Sequence, residues 1–201
     1  VYVNKILQNI SGEYFKNYEI KSVDRNESSV RLYYGSSNEY FDYDKVVFAT
    51  HADQTLNLIK SPTNNEKNIL SNFKYKKNMA YVHSDENLMP HTKKVWSSWN
   101  SILDKKDLSK NCVTYWLNKL QNLKNKTNFF LTLNPIIPIE HKKIIKKIEF
   151  THPFYDVESI EAQKNLKKLQ GQNNSWFCGS YFGYGFHEDG LKSSINIVDK
   201  I

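Results

Sequence analysis

The chain has 201 residues and a formal net charge of +7, with 39% hydrophobic, 14% aromatic and 24% charged residues. This length fits one large domain or two small ones, the aromatic content excludes a disordered chain, and no apolar run approaches the roughly 18 residues of a membrane helix. The basic charge comes almost entirely from lysine, with only Arg25 and Arg31 as arginines, which favours a solvated surface over nucleic-acid recognition.

The first quarter of the chain predicts a helix followed by a small meander. Apolar residues at helical spacing, closed by Gly12, predict a helix over 2–11. Three strands follow, joined after the second by a turn over residues 35–38. Their predicted spans are Tyr18–Asp24, Ser29–Tyr34 and Glu39–Asp42.

A continuous apolar run, Lys45–Ala49, then suits a strand that is covered on both faces. A helix through Leu56 and Ile59 follows it, and residues 63–72 form a polar, helical connection.

The central region predicts one antiparallel sheet, because four aromatic and β-branched runs are each bounded by turn-forming or charged residues. These runs are Met79–His83, Val95–Asn100, Val113–Leu117 and Phe129–Leu133. Phe150 lies in a possible fifth strand, and residues 104–110 form a polar loop. Within the second run, strand alternation places Trp96 and Trp99 on opposite faces.

The last part of the chain alternates helix and strand. A helix is predicted over Asp156–Leu169, with Val157, Ile160 and Leu166 on one side. Trp176–Cys178 is a short buried strand, and Gly179–Gly190 is a loop of glycines and aromatics. A final helix begins near Glu188 and turns the side chains of Leu191, Ile195 and Val198 inward.

Four of the seven glycines lie between residues 176 and 191. Clustered glycine indicates backbone that turns sharply or approaches another group closely. The order strand, glycine loop, helix points backbone N–H groups and a partial positive charge at a ligand. From composition alone, a planar ligand site and a loop packed on the core are equally good interpretations.

The cysteines and histidines do not predict a metal site. Cys112 and Cys178 are far apart in apolar runs and are interpreted as buried, reduced thiols, which fits a cytoplasmic protein. The six histidines show no spacing typical of metal ligands.

Several stretches, in order along almost the whole chain, carry a resemblance to a known family. They are residues 46–54 (VVFATHADQ), 88–90 (LMP), 96–100 (WSSWN), 113–116 (VTYW), 132–135 (TLNP) and 183–191 (GYGFHEDGL). With them the chain resembles the flavin-containing amine oxidase superfamily, and more narrowly a bacterial branch of predicted NAD/FAD-binding proteins or FAD-dependent amine oxidoreductases. The resemblance implies a mixed α+β fold, in which partial FAD-binding domain pieces flank an antiparallel-sheet substrate domain.

The resemblance also implies an FAD site. Gly179 and Ser180 fall near the ribityl chain and the pyrophosphate, although the superfamily more commonly has an acidic residue where Ser180 stands. Asp189, Gly190 and Leu191 fall at the helix start near the flavin pyrimidine ring, where backbone N–H groups donate and the helix N-terminus stabilises negative charge.

Four further residues receive roles from the same comparison. Glu188, with Asp189, is expected to cap the final helix. Ile20 lies in the strand whose backbone meets the adenine, and Ala49 and Thr50 end the strand that flanks the nucleotide.

The family's opening glycine-rich dinucleotide fingerprint is absent before residue 60. The chain also begins with Val1 rather than Met. It is therefore interpreted as the C-terminal part of a longer flavoprotein, without its N-terminal FAD-binding part. Residues 1–60 and 171–201 would belong to the FAD-binding domain and residues 61–170 to the substrate-binding domain, and this part alone is expected to retain little or no FAD.

Catalytic candidates are weakly marked. Tyr184 and His187 lie near the flavin loop and are the chosen candidates, while His83 and Asp85 are further acid–base residues. Trp96, Trp99, Tyr115 and Trp116 are numerous enough to wall a pocket, and simple sheet core is the competing interpretation.

The function that follows is hydride transfer from a small organic substrate, an amine or a lipid-like molecule, to FAD. Two alternatives stay open. One is a basic, non-enzymatic binding domain, which would gather its lysines on one face. The other is a degenerate or split flavoprotein without flavin.

Overall fold

The structure is a computed structural model that describes residues 2–36, 39–107 and 110–201. The chain divides into two compact units: residues 1–74 together with 153–201, and residues 75–152. Residues 37 and 38 of the predicted turn, and residues 108 and 109 of the predicted polar loop, lie outside the described residues.

The described residues form short helices and ten strands. The strands are β1 (Ile20–Arg25), β2 (Val30–Tyr34), β3 (Glu39–Tyr43), β4 (Val46–Phe48), β5 (Lys74–His83), β6 (Trp99–Leu103), β7 (Asn111–Trp116), β8 (Phe130–Leu133), β9 (Ile144–Phe154) and β10 (Ser175–Phe177). The helices are α1 (Tyr2–Leu7), α2 (Ala52–Leu58), α3 (Asn64–Leu70), α4 (Leu117–Leu120), α5 (Val157–Gln163) and α6 (His187–Val198).

The predicted meander is confirmed. β1, β2 and β3 pair antiparallel in that order, with Val23 opposite Leu32 and Leu32 opposite Phe41. Val23 and Val30 are buried and anchor the sheet. The helix before it is shorter than predicted and ends at Leu7.

β4 and β10 form a parallel pair, with Trp176 beside Val47 and Phe177 beside Phe48. The Phe48 and Phe177 rings stack with their centroids 5.3 Å apart, and both residues are buried. The prediction that the β4 run is covered on both faces was wrong, because Val47 on the other face is 42% exposed.

A buried ion pair joins the meander to α3. Arg25 donates to both carboxylate oxygens of Glu66 at 2.8 and 2.9 Å, and to the hydroxyl of Ser175 at 3.0 Å. Glu66 also accepts from the backbone N–H of Thr63 and so closes a capping box at the start of α3.

The predicted helix 156–169 is divided. α5 begins after its N-cap Asp156 and ends at Gln163, and a 3₁₀ turn covers Leu166–Leu169. Leu166 and Leu169 are buried, whereas Val157, which was predicted to share one side of the helix with Leu166, is 75% exposed. The Asp156 carboxylate accepts a hydrogen bond from the Ser159 backbone N–H at 2.9 Å and caps the start of α5.

The second unit is built on a five-stranded sheet in the order β6–β7–β8–β5–β9. β6, β7, β8 and β5 pair antiparallel, as predicted. The predicted strand Val95–Asn100 was wrong, because Trp96 follows a 3₁₀ turn and β6 begins only at Trp99. The Trp96 indole N–H donates to the Pro90 carbonyl at 2.7 Å, and this bond fixes the buried ring outside the ladder.

A chain of polar side chains crosses the buried face of this sheet. The imidazole Nε2 of His83 bonds the Thr132 hydroxyl at 2.8 Å, which bonds the Thr114 hydroxyl at 2.7 Å. All three residues are fully buried. Burial lowers the pKa of His83, since the nearby Asp85 carboxylate only partly offsets the cost of charging it.

Candidate functional site

The carboxyl ends of β4 and β10 meet at one edge, because the two strands are parallel. The predicted residues Ala49 and Thr50 follow β4, and Gly179 and Ser180 follow β10. A Cβ atom on Gly179 would lie 3.6 Å from the Thr50 carbonyl oxygen. The structure therefore brings these four residues together, at the kind of edge where open α/β sheets bind their ligands.

Gly179 requires a glycine. Its φ is +152°, and a Cβ there would lie 2.8 Å from the Tyr181 ring, which is itself buried. Ser180 then opens a 3₁₀ turn that ends at Phe182. The chain can therefore leave the strand and reverse within a few residues.

The first turns of α6 pack directly on this strand end. The Ser193 hydroxyl accepts from the Gly179 N–H at 2.9 Å and donates to the Gly190 carbonyl at 2.7 Å. A Cβ on Gly190 would lie 3.7 Å from the Ser180 backbone nitrogen. Gly190 thus joins the cluster formed by Gly179 and Ser180.

Asp189 organises the loop before α6. Its Oδ2 accepts from the backbone N–H groups of Tyr184 and Phe186, both at 3.0 Å. Gly183 leaves the space for this carboxylate, because a Cβ there would lie 2.4 Å from it. The Glu188 carboxylate is exposed instead and lies 3.6 Å from the Lys192 ammonium.

The two predicted catalytic residues and Leu191 lie on the open side of this segment. Tyr184 is 72% exposed, His187 begins α6 as an exposed residue, and Leu191 is exposed one turn later. An exposed imidazole and phenol can bind or exchange protons with a molecule held over the helix start.

Gln163 and Ser193 are the functional residues that sequence reasoning missed. The Gln163 amide donates to the carbonyls of Tyr181 and Gly183 at 3.1 and 2.6 Å, and so fixes the glycine loop from α5. Neither residue belongs to a motif, and each contact depends on tertiary packing.

Ile20 belongs to another sheet, at the start of β1, where it pairs with Tyr34. An open groove of about 780 Å³ lies beside it, lined by Lys21, Tyr34, Gly35 and other meander residues. The aromatic rings and lysine ammonium groups that line this groove could contact a flat, polar molecule.

The phenol of Tyr155 lies close to the glycine loop, since a Cβ on Gly185 would be 3.0 Å from its oxygen. This oxygen is buried without a hydrogen-bond partner within the part of the chain that the structure describes. Burial, with a contribution from the charge of Asp189, raises the pKa of Tyr155 to about 12.

The segment fits one part of a dinucleotide site. It combines the carboxyl edge of a parallel strand pair, glycine backbone that a molecule can approach, and the start of a twelve-residue helix. Within residues 2–36, 39–107 and 110–201 no group of histidine, cysteine, aspartate and glutamate is arranged to hold a metal ion. No helix in these ranges has the length and apolar character to cross a bilayer.

No protein-family model matches the chain, and no curated protein sequence matches it. Several solved structures, however, do match the chain. A CLA-producing fatty acid isomerase from P. acnes superposes with a TM-score of 0.67 at 13% identity, over 98% of this chain and 50% of that chain. Cyclohexylamine oxidase from Brevibacterium oxydans IH-35A superposes with a TM-score of 0.57 at 11% identity, over 90% of this chain and 48% of that chain.

A putrescine oxidase variant, from a redesign of that enzyme's cofactor binding, superposes with a TM-score of 0.60 at 8% identity, over 98% of this chain and 52% of that chain. The chain therefore spans about half the length of these structures. At such identities the similarity establishes the fold, and the predicted mixed α+β, amine-oxidase-like fold is confirmed.

Proposed function

We propose that this amine-oxidase-like chain is the C-terminal part of an FAD-dependent oxidoreductase of the bacterial branch that the sequence resembles. The whole enzyme would transfer hydride from a small organic substrate, an amine or a lipid-like molecule, to FAD. The observation that carries the proposal is the packing of Gly179 and Ser180, at the carboxyl edge of β4 and β10, against the first turns of α6.

Each proposed contact with FAD uses backbone more than side chain. Gly179 and Ser180 would meet the ribityl chain and pyrophosphate, and Gly190 and Leu191 would present N–H groups to the flavin ring. Bound there, FAD would supply a two-electron acceptor for hydride. The positive end of α6 would stabilise the negative charge that the reduced ring gains, and Asp189 would hold the preceding loop in place.

Other residues complete this assignment. Ala49 and Thr50 would flank the nucleotide, and Ile20 would meet the adenine. Tyr184 and His187 would hold or move protons beside the substrate, which their exposure permits. On this proposal residues 1–60 and 171–201 bind FAD, residues 61–170 bind the substrate, and the enzyme is cytoplasmic.

The proposal includes a missing N-terminal FAD-binding part. Three observations support it: the chain spans half of its structural neighbours, β4 pairs on one edge only among the described residues, and Val47 beside that edge is exposed. Strands of a parallel sheet are normally covered on both faces and continued by further strands. A strand–helix unit carrying the glycine fingerprint would complete both the sheet and the cofactor site.

The test compares two polypeptides. We would read the coding DNA before Val1, then produce both the 201-residue chain and the longer product, and record the visible absorbance of each. We expect an upstream strand, a G-x-G-x-x-G loop and an acidic residue about 20 positions later, with flavin absorbance only in the longer product. In that product Gly190→Val should reduce bound flavin, because its branched side chain would obstruct the Ser180 N–H, whereas Gly12→Val at an open position should not.

A stop codon directly before Val1, with no flavin bound by the chain, would contradict the proposal and favour a decayed or split gene. Stoichiometric flavin bound to the 201-residue chain would contradict the proposal that an N-terminal FAD-binding part is missing. Strongly salt-dependent nucleic-acid binding without flavin would instead support the basic binding domain.

A further inference from the structure

The five-stranded sheet has two faces that differ in burial. Residues in register across β6, β7, β8 and β5 define one of them, which we call the Trp99 face: Trp99, Tyr115, Leu131 and Val82 form one row, and Ser101, Val113, Leu133 and Ala80 form the next on the same side. One alternate row carries Asn100, Thr114, Thr132 and Tyr81, the next carries Trp116, Phe130 and His83, and we call that side the His83 face.

The Trp99 face departs from the usual pattern of an antiparallel sheet. Such a sheet normally turns apolar residues to the core and polar residues to water. The central rows of the His83 face are buried, and they combine the polar chain from His83 through Thr132 to Thr114 with aromatic residues such as Phe130. The Trp99 face is apolar but incompletely covered, with Trp99 itself 62% exposed.

The edge strand β9 continues the Trp99 face. The His152 ring bonds the Asn78 amide at 3.0 Å and lies 5.7 Å from the Phe150 ring. Asn78 is on the same side of β5 as Ala80, because the two residues are two positions apart in the strand. Alternation along β9 therefore places Lys146, Ile148, Phe150 and His152 on this face, while Glu149, which pairs with Lys77, points to the other side.

The charges on this face have one sign. Among the described residues of the five strands, no aspartate or glutamate lies on the Trp99 face, whereas Lys146 and His152 lie on its β9 edge. An alkylammonium would find no carboxylate to pair with here. An apolar chain with an anionic head would find both an apolar surface and a nearby cation.

We propose that the Trp99 face binds the substrate of the proposed oxidoreductase, and that this substrate is a long-chain carboxylate rather than an amine. This inference rests on the proposed function. The hydrocarbon chain lies along the row of Trp99, Tyr115, Leu131 and Val82, and the carboxylate lies toward Lys146. The Trp99 and Tyr115 rings meet edge to face at 5.8 Å, which gives the row a rigid aromatic end.

The experiment measures binding without flavin. Fluorescent cis-parinarate is bound to the 201-residue chain and displaced by oleate, oleylamine or oleyl alcohol below their aggregation concentrations. The variants are Trp99→Ala and Lys146→Glu. Their controls are Ile145→Ala and Lys147→Glu, adjacent exposed residues that alternation places on the opposite side of β9. Far-UV circular dichroism confirms that each variant folds, which the exposure of all four positions favours.

We expect oleate to displace the probe at lower concentration than oleylamine does. Trp99→Ala should lower the affinity for oleate about tenfold, because the substitution removes a large apolar contact. Lys146→Glu should weaken the binding of oleate but leave the binding of oleyl alcohol unchanged. Both control variants should bind oleate as tightly as the unmodified chain does.

Tighter binding of oleylamine, or equal oleate affinity for Trp99→Ala and Ile145→Ala, would overturn the proposal. Either result would leave the flavoenzyme proposal intact, since that depends on the flavin absorbance of the longer product. Conversely, a longer product that binds no flavin would contradict the proposed hydride transfer, whereas the measured binding of fatty acid would stand.

Discussion

The backbone N–H of Gly179 donates to the side-chain hydroxyl of Ser193 at 2.9 Å, and this bond ties the end of β10 to the middle of α6. Ser193 is buried, so its loss leaves the Gly179 N–H without this acceptor. We expect Ser193→Ala to lower the free energy of unfolding by about 1–2 kcal/mol, measured by urea denaturation. Ser194→Ala is the matched control, because that hydroxyl bonds only the Gly190 carbonyl within its own helix, and it should change stability little. Equal effects of the two substitutions would contradict this account.

Asp189 should determine the order of the loop before α6. Asp189→Ala removes the acceptor of the Tyr184 and Phe186 N–H groups, and we expect a loss of about 1–2 kcal/mol with faster hydrogen exchange at those two amides. Asp189→Asn should retain part of the protection, because one amide oxygen can replace Oδ2. Glu188→Ala, at an exposed neighbour, should leave the exchange rates unchanged; slow exchange in Asp189→Ala would disprove the role.

Gly179 should not tolerate even the smallest side chain. Gly179→Ala places a Cβ 2.8 Å from the Tyr181 ring at a φ of +152°, and we expect it to cost about 2–3 kcal/mol by thermal or urea unfolding. Gly12→Ala is the control, since its nearest neighbour would be 4.0 Å away. Similar stability of the two variants would show that the strand end is less constrained than the structure indicates.

The buried pair of Arg25 and Glu66 should be costly to break from one side. Although burial alone would raise the pKa of Glu66, hydrogen bonds from Arg25 and Thr63 lower it, so the carboxylate is charged in the fold. Glu66→Gln leaves the Arg25 charge buried without compensation, and we expect a loss of about 3–5 kcal/mol in chemical denaturation. Breaking the exposed pair with Asp42→Asn should have a much smaller effect.

His83 should make stability depend on pH. Its pKa in the fold is lowered by burial, so the unfolded chain takes up a proton near pH 6.5 while the folded chain keeps a neutral imidazole. The contribution of His83 to the free energy of unfolding is therefore fully present above about pH 6.5 and decreases as the pH drops below that value. His83→Gln should flatten this slope between pH 6.5 and 5, and His91→Gln, at an exposed position, should not; identical slopes would contradict the assignment.

The hydrophobic periodicity and the turn-forming residues of the sequence predicted the meander, the strands β4 and β10 and the start of α6, because these features depend on local patterns. They did not predict which side of α6 is buried. Leu191, Ile195 and Val198 were expected inward, but each is more than half exposed, and Ser193 and Ile197 are buried instead. Helical period alone identifies an apolar stripe, and only the neighbouring element decides whether that stripe is covered within this chain.

The tryptophans show the same limit. Trp96 and Trp99 lie on opposite sides of the sheet, as expected, but Trp96 is outside the strand that was predicted to hold it: Trp96 and Trp116 meet edge to face against Phe130, while Trp99 and Tyr115 pair on the other side. The deciding contact, from the Trp96 indole to the Pro90 carbonyl, has no signature in strand alternation.

The parallel pairing of β4 with β10 joins segments separated by more than half of the chain. During synthesis, residues 75–152 emerge as one uninterrupted stretch and can begin to fold while the first unit still lacks its closing strand. Loop closure over such a distance is slow, so this unit completes only after β10 has been synthesised and has reached β4. The glycine segment that would meet the cofactor therefore takes its shape only after this long-range pairing has formed.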